Sequence, residues 1–185
     1  MANESRISGF KPVKSLAGGD WTALIRKYNK DAAASALYIG DVVSLDVDGN
    51  VTAAVSGGVV LGVVVALGAD SGTTFGETGY FNPNDLGKRF LAATDTGVVG
   101  VVPASLSLFE AYSELGQVLS LIQGAPLDFL PAAGSTVTGN SAFSLDVPVN
   151  ADCRVVEVVT SPDNDPTLAN ARSIIQFVST ANPLD

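Results

Sequence analysis

The acidic run Asp46-Val47-Asp48-Gly49-Asn50 is the stretch whose residue types come closest to cation chemistry. Alternating carboxylate and amide side chains open the calcium loop of helix–loop–helix proteins. That loop also requires glycine at its sixth position and glutamate at its twelfth, where this sequence has Val51 and Gly57. The match therefore fails, and the run is expected to form the turn of a β-hairpin, with Gly49 tolerating positive φ.

Two further acidic groups would act chemically only if the fold assembled them. The tripeptide 163–165 could hold a cation, but the prolines on either side make an ordinary turn the expected structure. Glu110, Glu114 and Glu157 could supply the paired carboxylates of glycoside cleavage if they approached one another. Nothing in their spacing favours that arrangement.

The strongest chemical exclusion comes from histidine, which the sequence lacks. Its absence removes serine–histidine and cysteine–histidine nucleophilic pairs and every histidine-ligated zinc or iron site. The single cysteine, Cys153, lies in a strand-like stretch and is expected to be a buried small hydrophobe. No glycine pattern that cradles a phosphate is present. We therefore expect no enzymatic activity, no cofactor, no metal and no small-molecule substrate.

Residues 37–67 are the most regular part of the chain and are expected to serve as its scaffold. Val43, Leu45 and Val47 alternate with polar residues, which is the period of a strand with one buried face. The alternation resumes at residues 51–55, and residues 59–65 are apolar or glycine throughout. A strand that is apolar on both faces is expected at the centre of a sheet. The pattern predicts a three-stranded meander.

Short strands separated by turns continue through the rest of the chain. They are predicted near residues 88–94, 97–102, 106–112, 141–146, 152–160 and 172–180, with loops at 68–87 and 124–140 and helical spacing at 113–123. We predict an all-β fold, a single barrel or sandwich-like domain with at most one or two short helices. Residues 1–36 are predicted to form an extended N-terminal arm and linker, and residues 37–185 the β-rich domain.

The charge is unevenly distributed, because residues 1–30 carry +4 and the remainder carries −13. Phosphate binding requires clustered lysine and arginine, so the acidic body argues against nucleic acid as the main partner. A basic arm that contacts a partner surface is one interpretation, and a solvated tail whose cations only aid solubility is the other. Within the arm, residues 20–28 fit either a helix with Asp20 as its N-cap or a strand.

The chain is rich in hydrophobic residues (46%) and poor in charged ones (16%). An average soluble domain has roughly 25% charged residues. Its apolar runs are shorter than the roughly 20 residues of a membrane helix, and the polar N-terminus does not resemble a signal peptide. We therefore expect no membrane partner and attribute the apolar excess to subunit contacts in a homo-oligomer. Phe75, Tyr80 and Phe81 in the loop 68–87 are expected to dock on a neighbouring subunit, with a flap over the chain's own core as the alternative.

Short strings follow one another in a definite order along most of the chain. They are SGFKPV (8–13), LYIGDVV (37–43), LGVVV (61–65), LFEAY (108–112), GSTVTGNS (134–141), VVEVV (155–159) and PDN (162–164). In their order and spacing they resemble the capsid decoration, or cement, proteins of tailed bacteriophages. The loop 68–87 and residues 113–131 match this family least.

The resemblance implies a virion protein that is made in the host cytoplasm and binds the outer capsid surface. Such proteins contact the major capsid protein, often as trimers, and stabilise the shell against internal DNA pressure. We take the arm as the shell-binding element, with these candidate residues: Arg6, Phe10, Lys11, Lys14, Trp21, Arg26, Lys27 and Lys30. Deletion of residues 1–30 is then expected to leave the fold intact and to abolish capsid binding.

Two alternatives remain open at this point. The chain could be another virion component, such as a head fibre base or a tail protein. It could also be a carbohydrate-binding or hydrolytic β domain, in which case Trp21 and the tyrosines would gather with two carboxylates in one cleft.

Overall fold

A computed structural model describes residue 3 and residues 8–69, 89–113 and 121–181. Within these ranges the chain forms antiparallel strands and two short 3₁₀ turns, Trp21–Leu24 and Ala104–Leu106. The strands are β1 (Lys11–Ser15), β2 (Arg26–Lys30), β3 (Leu37–Tyr38), β4 (Val42–Leu45), β5 (Val51–Ala53), β6 (Gly62–Ala69), β7 (Phe90–Leu91), β8 (Gly97–Pro103), β9 (Ser107–Tyr112), β10 (Pro126–Leu130), β11 (Ser144–Asp146), β12 (Cys153–Val158) and β13 (Arg172–Phe177). None of the described helical turns has the length and apolar character needed to cross a membrane.

The larger sheet has six strands in the order β1–β9–β13–β12–β10–β11. One of its faces is polar: Glu110 on β9 and Glu157 on β12 both lie opposite Ile174 on β13. The other face is aromatic, and the ring of Phe177 lies 5.5 Å from the ring of Phe109. Because successive residues of a strand point to opposite faces, this alternation leaves the aromatic face for the core.

The second sheet has five strands in the order β2–β8–β6–β4–β5 and packs on the aromatic face of the first. Val42, Val63 and Val102 of this sheet meet Phe109 and Ile175 of the six-stranded sheet in one large core. All five side chains are fully buried. Two sheets joined through one apolar layer form a sandwich-like arrangement.

A second core covers the opposite face of the five-stranded sheet. Val43, Val64 and Val101 pack there with Leu37 and Leu91, which belong to a small two-stranded sheet formed by β3 and β7. Each of these valines is the sequence neighbour of a valine in the first core, so β4, β6 and β8 supply side chains to both layers. The prediction of a doubly covered central strand is therefore confirmed for β6.

Both large sheets are curved, but neither is closed into a barrel. The edge strands β2 and β5 of the five-stranded sheet contact each other without pairing. In the six-stranded sheet, an isolated bridge joins Ser113, just after β9, to Leu145 on β11. The predicted all-β class is confirmed, and of the two predicted architectures the sandwich-like one is compatible with the sheets.

The scaffold predicted for residues 37–67 is present, but its strand order differs from the prediction. The hairpin β4–β5 forms around the predicted turn and pairs Val43 with Ala53. β6 then pairs with the other side of β4, where Val42 lies opposite Val63. Residues 54–61 are long enough to carry the chain across β4, so the three strands do not form a meander.

Strand β10 lies inside the stretch 124–140 that was predicted to be a loop. Pro126 occupies its first position, where a missing N–H is tolerated, and the buried Leu127, Asp128 and Phe129 follow. Leu127, Asp128 and Phe129 do alternate with the period of a strand, but the run is only three residues long, and the prolines and glycines around it favoured a loop. The helix considered for residues 113–123 falls mostly outside the described residues, and 121–123 are not helical.

The prediction of a separable N-terminal arm is wrong for the residues that the structure describes. β1 pairs with β9 at the edge of the six-stranded sheet, and β2 pairs with β8 at the edge of the five-stranded sheet. Both structures considered for residues 20–28 occur in succession, a 3₁₀ turn followed by a strand. The N-terminal segment therefore spans both sheets and is part of the domain, because its backbone hydrogen bonds are made with strands β8 and β9.

Candidate interaction surface

The exposed cations of the N-terminal segment lie on two edge strands. Lys11 and Lys14 are on β1, whereas Arg26 and Lys27 are on β2, and all four are exposed. Charged side chains on an edge strand discourage uncontrolled pairing with another sheet. The same placement leaves four positive charges at the rims of an otherwise acidic body.

Strand β1 is also shaped by a bulge. Its register with β9 shifts between Pro12 and Lys14, so Val13 has no partner residue on β9. The bulge leaves the side chain of Val13 38% exposed. Bulges commonly re-aim a side chain at a sheet edge, and here an apolar one comes to lie between two lysines.

Phe10, a predicted shell contact, is instead a core residue. Its side chain is 1% exposed, and its ring lies 5.5 Å from the ring of Phe177. Its backbone N–H donates to the carbonyl of Gly40 at 2.9 Å. An apolar residue close to lysines can anchor a partner or can anchor the segment in the chain's own core. The two roles have the same sequence pattern, so the sequence could not distinguish them.

Lys30, another predicted shell contact, is buried as well and makes internal hydrogen bonds. Its side chain is 2% exposed. Its Nζ donates to the backbone carbonyls of Asp31 (2.9 Å), Ala34 (3.4 Å), Ala93 (3.2 Å) and Asp95 (2.8 Å). We call this group the Lys30 cage. Burial lowers the pKa of Lys30, and the charges of Asp95 and Asp31 partly oppose that shift. The cage ties the chain after β2 to the chain before β8.

Trp21 is half-buried and packs against the first core. Asp20 fixes the turn that carries it, since its Oδ1 accepts a hydrogen bond from the N–H of Thr22 at 2.9 Å. That bond lowers the pKa of the Asp20 carboxyl. The predicted N-cap role of Asp20 is therefore confirmed, and part of the indole surface is left for contact with solvent or a partner.

Four predicted contact residues lie outside the described residues: Arg6, Phe75, Tyr80 and Phe81. Two statements stay predictions: that the loop 68–87 contacts a neighbouring subunit, and that Arg6 contacts the shell.

The structure brings several distant segments together around a buried carboxylate, Asp41, which is 1% exposed. Its Oδ2 accepts the N–H of Tyr38 at 2.8 Å, and its backbone carbonyl accepts the N–H of Val64 at 2.9 Å. The preceding residue, Gly40, accepts from Phe10, while Ile39 exchanges backbone hydrogen bonds with Gly139 and Ser141. We call this group, formed by residues 8–10, 38–41, 64 and 139–141, the Asp41 junction.

Two glycines make the junction possible. Gly9 and Gly40 have φ values of 71° and 95°, in the left-handed region that favours glycine. A Cβ on Gly9 would lie 2.5 Å from the carbonyl oxygen of Gly40, and a Cβ on Gly40 would lie 2.6 Å from that of Ser8. The two backbones therefore approach more closely than any residue with a side chain permits.

Burial raises the pKa of Asp41 to about 6, against the hydrogen bonds of Ser141 and Tyr38, which lower it. Among the described residues, its Oδ1 has no partner that satisfies hydrogen-bond geometry. The hydroxyl of Ser141 is near enough to act on the charge, and its oxygen also accepts from the N–H of Phe143 at 3.0 Å. A buried carboxylate with one unpaired oxygen is more costly when it is ionised than when it is protonated.

A second polar cluster, which the sequence analysis missed, joins the end of one sheet to the other. Asp128 accepts hydrogen bonds from the backbone of Val149, Asn150 and Asp152. The carboxylate of Asp152 in turn accepts from Ser56 Oγ at 2.7 Å and from the N–H of Gly57. Burial acts to raise the pKa of Asp128, but the backbone donors outweigh it and the pKa is lowered. These carboxylates hold loops in place, and their oxygens are already occupied.

The acidic groups weighed from the sequence also have structural partners. Asp46 accepts the N–H groups of Asp48 (2.9 Å) and Asn50 (2.8 Å) within the β4–β5 turn. Asp163 pairs with Arg172 at 2.7 Å, and the same arginine lies 3.5 Å from Glu110. Within the described residues, no group of three or more histidine, cysteine, aspartate or glutamate side chains could hold a metal ion. Glu114 lies outside the described residues.

The aromatic residues and the cysteine occupy separate places in the fold. Tyr28 packs against the second core, the ring of Tyr38 stacks on that of Phe90, and Tyr112 lies beneath Arg172. Of the described residues, Trp21 and these tyrosines therefore do not share a cleft. Cys153 is fully buried, as predicted, and burial raises the pKa of its thiol.

Comparisons of this chain with protein-family models, with curated proteins and with solved structures found no match.

Proposed function

We propose that this chain is a non-enzymatic structural protein of a tailed-bacteriophage head. In this role it binds the outer surface of the shell through the major capsid protein, as a homotrimer, and stabilises the shell against the pressure of the packaged DNA. The protein would accordingly be located in the virion. The proposal rests on the resemblance of its sequence strings to decoration proteins and on the kind of fold in which those strings lie.

The observation that carries the proposal is the Asp41 junction. Four of the strings that resemble decoration proteins, at 8–13, 37–43, 61–65 and 134–141, are spread over residues 8 to 141, yet each contributes backbone contacts to this junction. The strings that carry the resemblance therefore meet within one folded unit. This supports a shared fold and, through it, a shared role.

The shell contact is assigned to the β2 edge. Arg26 and Lys27 are exposed there, beside the half-buried Trp21, and together they offer positive charge next to apolar surface. Individual exposed ion pairs contribute little free energy. Many subunits linked through trimers and bound to a repeating lattice gain affinity by avidity, so weak single contacts suffice for stable decoration.

The test compares two single charge reversals, Arg26→Glu and Arg154→Glu. Arg26 lies on the β2 edge, whereas the exposed Arg154 lies on β12 of the six-stranded sheet. Purified heads assembled without this protein are incubated with each variant, and bound protein is counted after sedimentation. We expect the wild type and Arg154→Glu to saturate the heads, and Arg26→Glu to bind about fivefold more weakly per subunit, the upper range for an exposed ion pair.

Cryo-electron microscopy of the saturated heads supplies the decisive readout. Added density on the outer surface, repeating with the capsid lattice, is the expected result. Density confined to a single vertex would instead indicate another virion component, and absence of binding by the wild type would overturn the proposal. Deletion of residues 1–30 is not a suitable test, because it removes both edge strands and Phe10 from the fold.

A further inference from the structure

The turn between β4 and β5 holds one apolar side chain in solvent. Val47 is 100% exposed, although the turn around it is well fixed. Asp46 accepts the N–H groups of Asp48 and Asn50, and its own N–H donates to the carbonyl of Asn50 at 2.9 Å. Gly49 follows with a φ of 79°, which glycine adopts without strain. We call Asp46, Val47 and Asp48 the hairpin tip.

The hairpin tip presents a valine between two carboxylates. A single exposed valine is common on protein surfaces. Here hydrogen bonds hold the turn, so docking Val47 would cost little conformational entropy, and covering its side chain would remove apolar surface from water. A surface that fits the tip needs an apolar patch flanked by positive charge.

The edge of β1 has that composition. Val13, Leu16 and Leu106 are 38%, 46% and 39% exposed, and Leu16 is joined to Leu106 by a backbone hydrogen bond of 2.9 Å. Lys11 and Lys14 lie beside them, and within the described residues neither forms an ion pair. We call these five residues the β1 patch. The patch combines apolar side chains with two cations, Lys11 and Lys14, and so complements a valine between two carboxylates.

We propose that the hairpin tip of one copy of this chain docks on the β1 patch of a second copy, with Val47 covered by Val13 and Leu16 and the carboxylate of Asp48 beside Lys14. The inference deepens the self-association in the proposed function and rests on it. The tip belongs to the five-stranded sheet and the patch to the edge of the six-stranded sheet. Two different surfaces therefore meet, which is a head-to-tail contact that closes into a ring when the rotation between copies allows it.

Charge complementarity favours a second copy as the occupant over the shell. The chain itself carries both halves of the contact, the exposed lysines of the β1 patch and the carboxylates of the hairpin tip. A tip of three residues covers less than the roughly 800 Å² per partner of a stable binary interface. A single contact is therefore weak, and closure of a ring, in which each copy makes two contacts, would stabilise the assembly.

The experiment is a charge swap between Lys14 and Asp48, read by sedimentation velocity over a range of protein concentrations. Lys14→Asp and Asp48→Lys are each expected to weaken association about tenfold, because a repulsion replaces an attraction. The double variant restores the pair with its signs exchanged and is expected to associate as the wild type does. A wild type that stays monomeric, single variants that associate normally, or a double variant no better than either single one would each overturn the proposal.

Val47→Ser tests the apolar half of the contact, with Val149→Ser as the matched control. Val149 is 83% exposed on a different loop, so neither substitution disturbs the core. Only Val47→Ser is expected to weaken association, and equal behaviour of the two variants would contradict the assignment. The proposed function is tested separately from this contact. Arg26→Glu should reduce shell binding and leave self-association unchanged. Asp48→Lys should reduce self-association and still permit shell binding by single subunits.

Discussion

The Lys30 cage and the Asp41 junction both bury a charged side chain with little exposure, but they satisfy it differently. Lys30 has three donor hydrogens and four carbonyl oxygens within 3.4 Å. Asp41 accepts one backbone N–H through Oδ2, and its Oδ1 has no partner among the described residues. The first group is a complete hydrogen-bonding unit, whereas the second is incomplete.

The Lys30 cage and the Asp41 junction therefore differ in how the buried charge affects stability. A buried ammonium surrounded by carbonyls fixes the loops that supply them, because each carbonyl would otherwise lose its partner on leaving water. A buried carboxylate with an unpaired oxygen stays sensitive to protonation, because the neutral form avoids the cost of an unpaired charge. One site is therefore expected to respond mainly to mutation and the other to pH.

The largest effect is expected from Lys30→Met, which fills the space of the lysine stem but removes its donors. The carbonyls of Asp31, Ala93 and Asp95 lose their partner, and the free energy of unfolding should fall by about 3 kcal/mol. Urea denaturation at a fixed protein concentration measures it. Lys11→Met, on the exposed edge of β1, is the control and should change stability by about 0.5 kcal/mol or less. Equal losses in the two variants would mean that the cage contributes nothing specific.

A smaller effect of opposite sign is expected from Asp41→Asn. The pKa of Asp41 is about 6 in the folded protein, above its ordinary value of 3.8, so the folded state binds a proton more tightly than the unfolded state. The contribution of this group to stability is complete below about pH 4 and is lost as the pH rises through 6. Asparagine imitates the neutral acid, and its carbonyl oxygen can still accept the N–H of Tyr38.

Asp41→Asn should therefore raise the free energy of unfolding at pH 7 by about 2 kcal/mol and change it little at pH 4. Urea denaturation at several pH values between 4 and 7 provides the measurement. Glu157→Gln, which alters an exposed carboxylate on β12, is the control variant. The same pH dependence in Asp41→Asn as in the wild type would assign the titration to another group.

The smallest effect is expected from Asp128→Asn. In contrast to Asp41, Asp128 is a carboxylate whose two oxygens both have hydrogen-bond partners. Asp128 accepts three backbone N–H groups, and asparagine keeps only one acceptor oxygen for them. Stability at pH 7 should fall by about 1 kcal/mol. The pKa of Asp128 is lowered, so its contribution is present above its ordinary pKa and is lost as the pH falls below it. The difference between variant and wild type should therefore narrow at pH 3, and a constant difference would argue against the carboxylate as its cause.

The pattern of valines was the most informative part of the sequence. Residues 59–65 predicted a strand covered on both faces, and β6 has Val63 in one core and Val64 in the other. The Asp48–Gly49 turn predicted the β4–β5 hairpin, which forms with Gly49 at positive φ. These features are local, since period and turn chemistry act within a few residues.

The structure of the N-terminal segment could not be predicted from local sequence patterns. Its glycines and spaced apolar residues suggested an arm, yet β1 and β2 are edge strands of two different sheets. Lys27 and Lys30 have the same residue type and lie three positions apart, but one is exposed and the other buried. The difference arises because Lys30 is enclosed by the loop that follows it, 31–34, and by the loop 93–95, which comes from a distant part of the chain.

The sequence by itself therefore determined the all-β class, the two-faced central strand, the hairpin turn and the lack of histidine chemistry, because these depend on composition and on short-range periodicity. The tertiary structure alone decided the strand order, the Asp41 junction and which cations of the N-terminal segment reach solvent. Each of these depends on backbone and side-chain contacts between segments that lie far apart in sequence, and no local pattern records which distant segment will supply a partner.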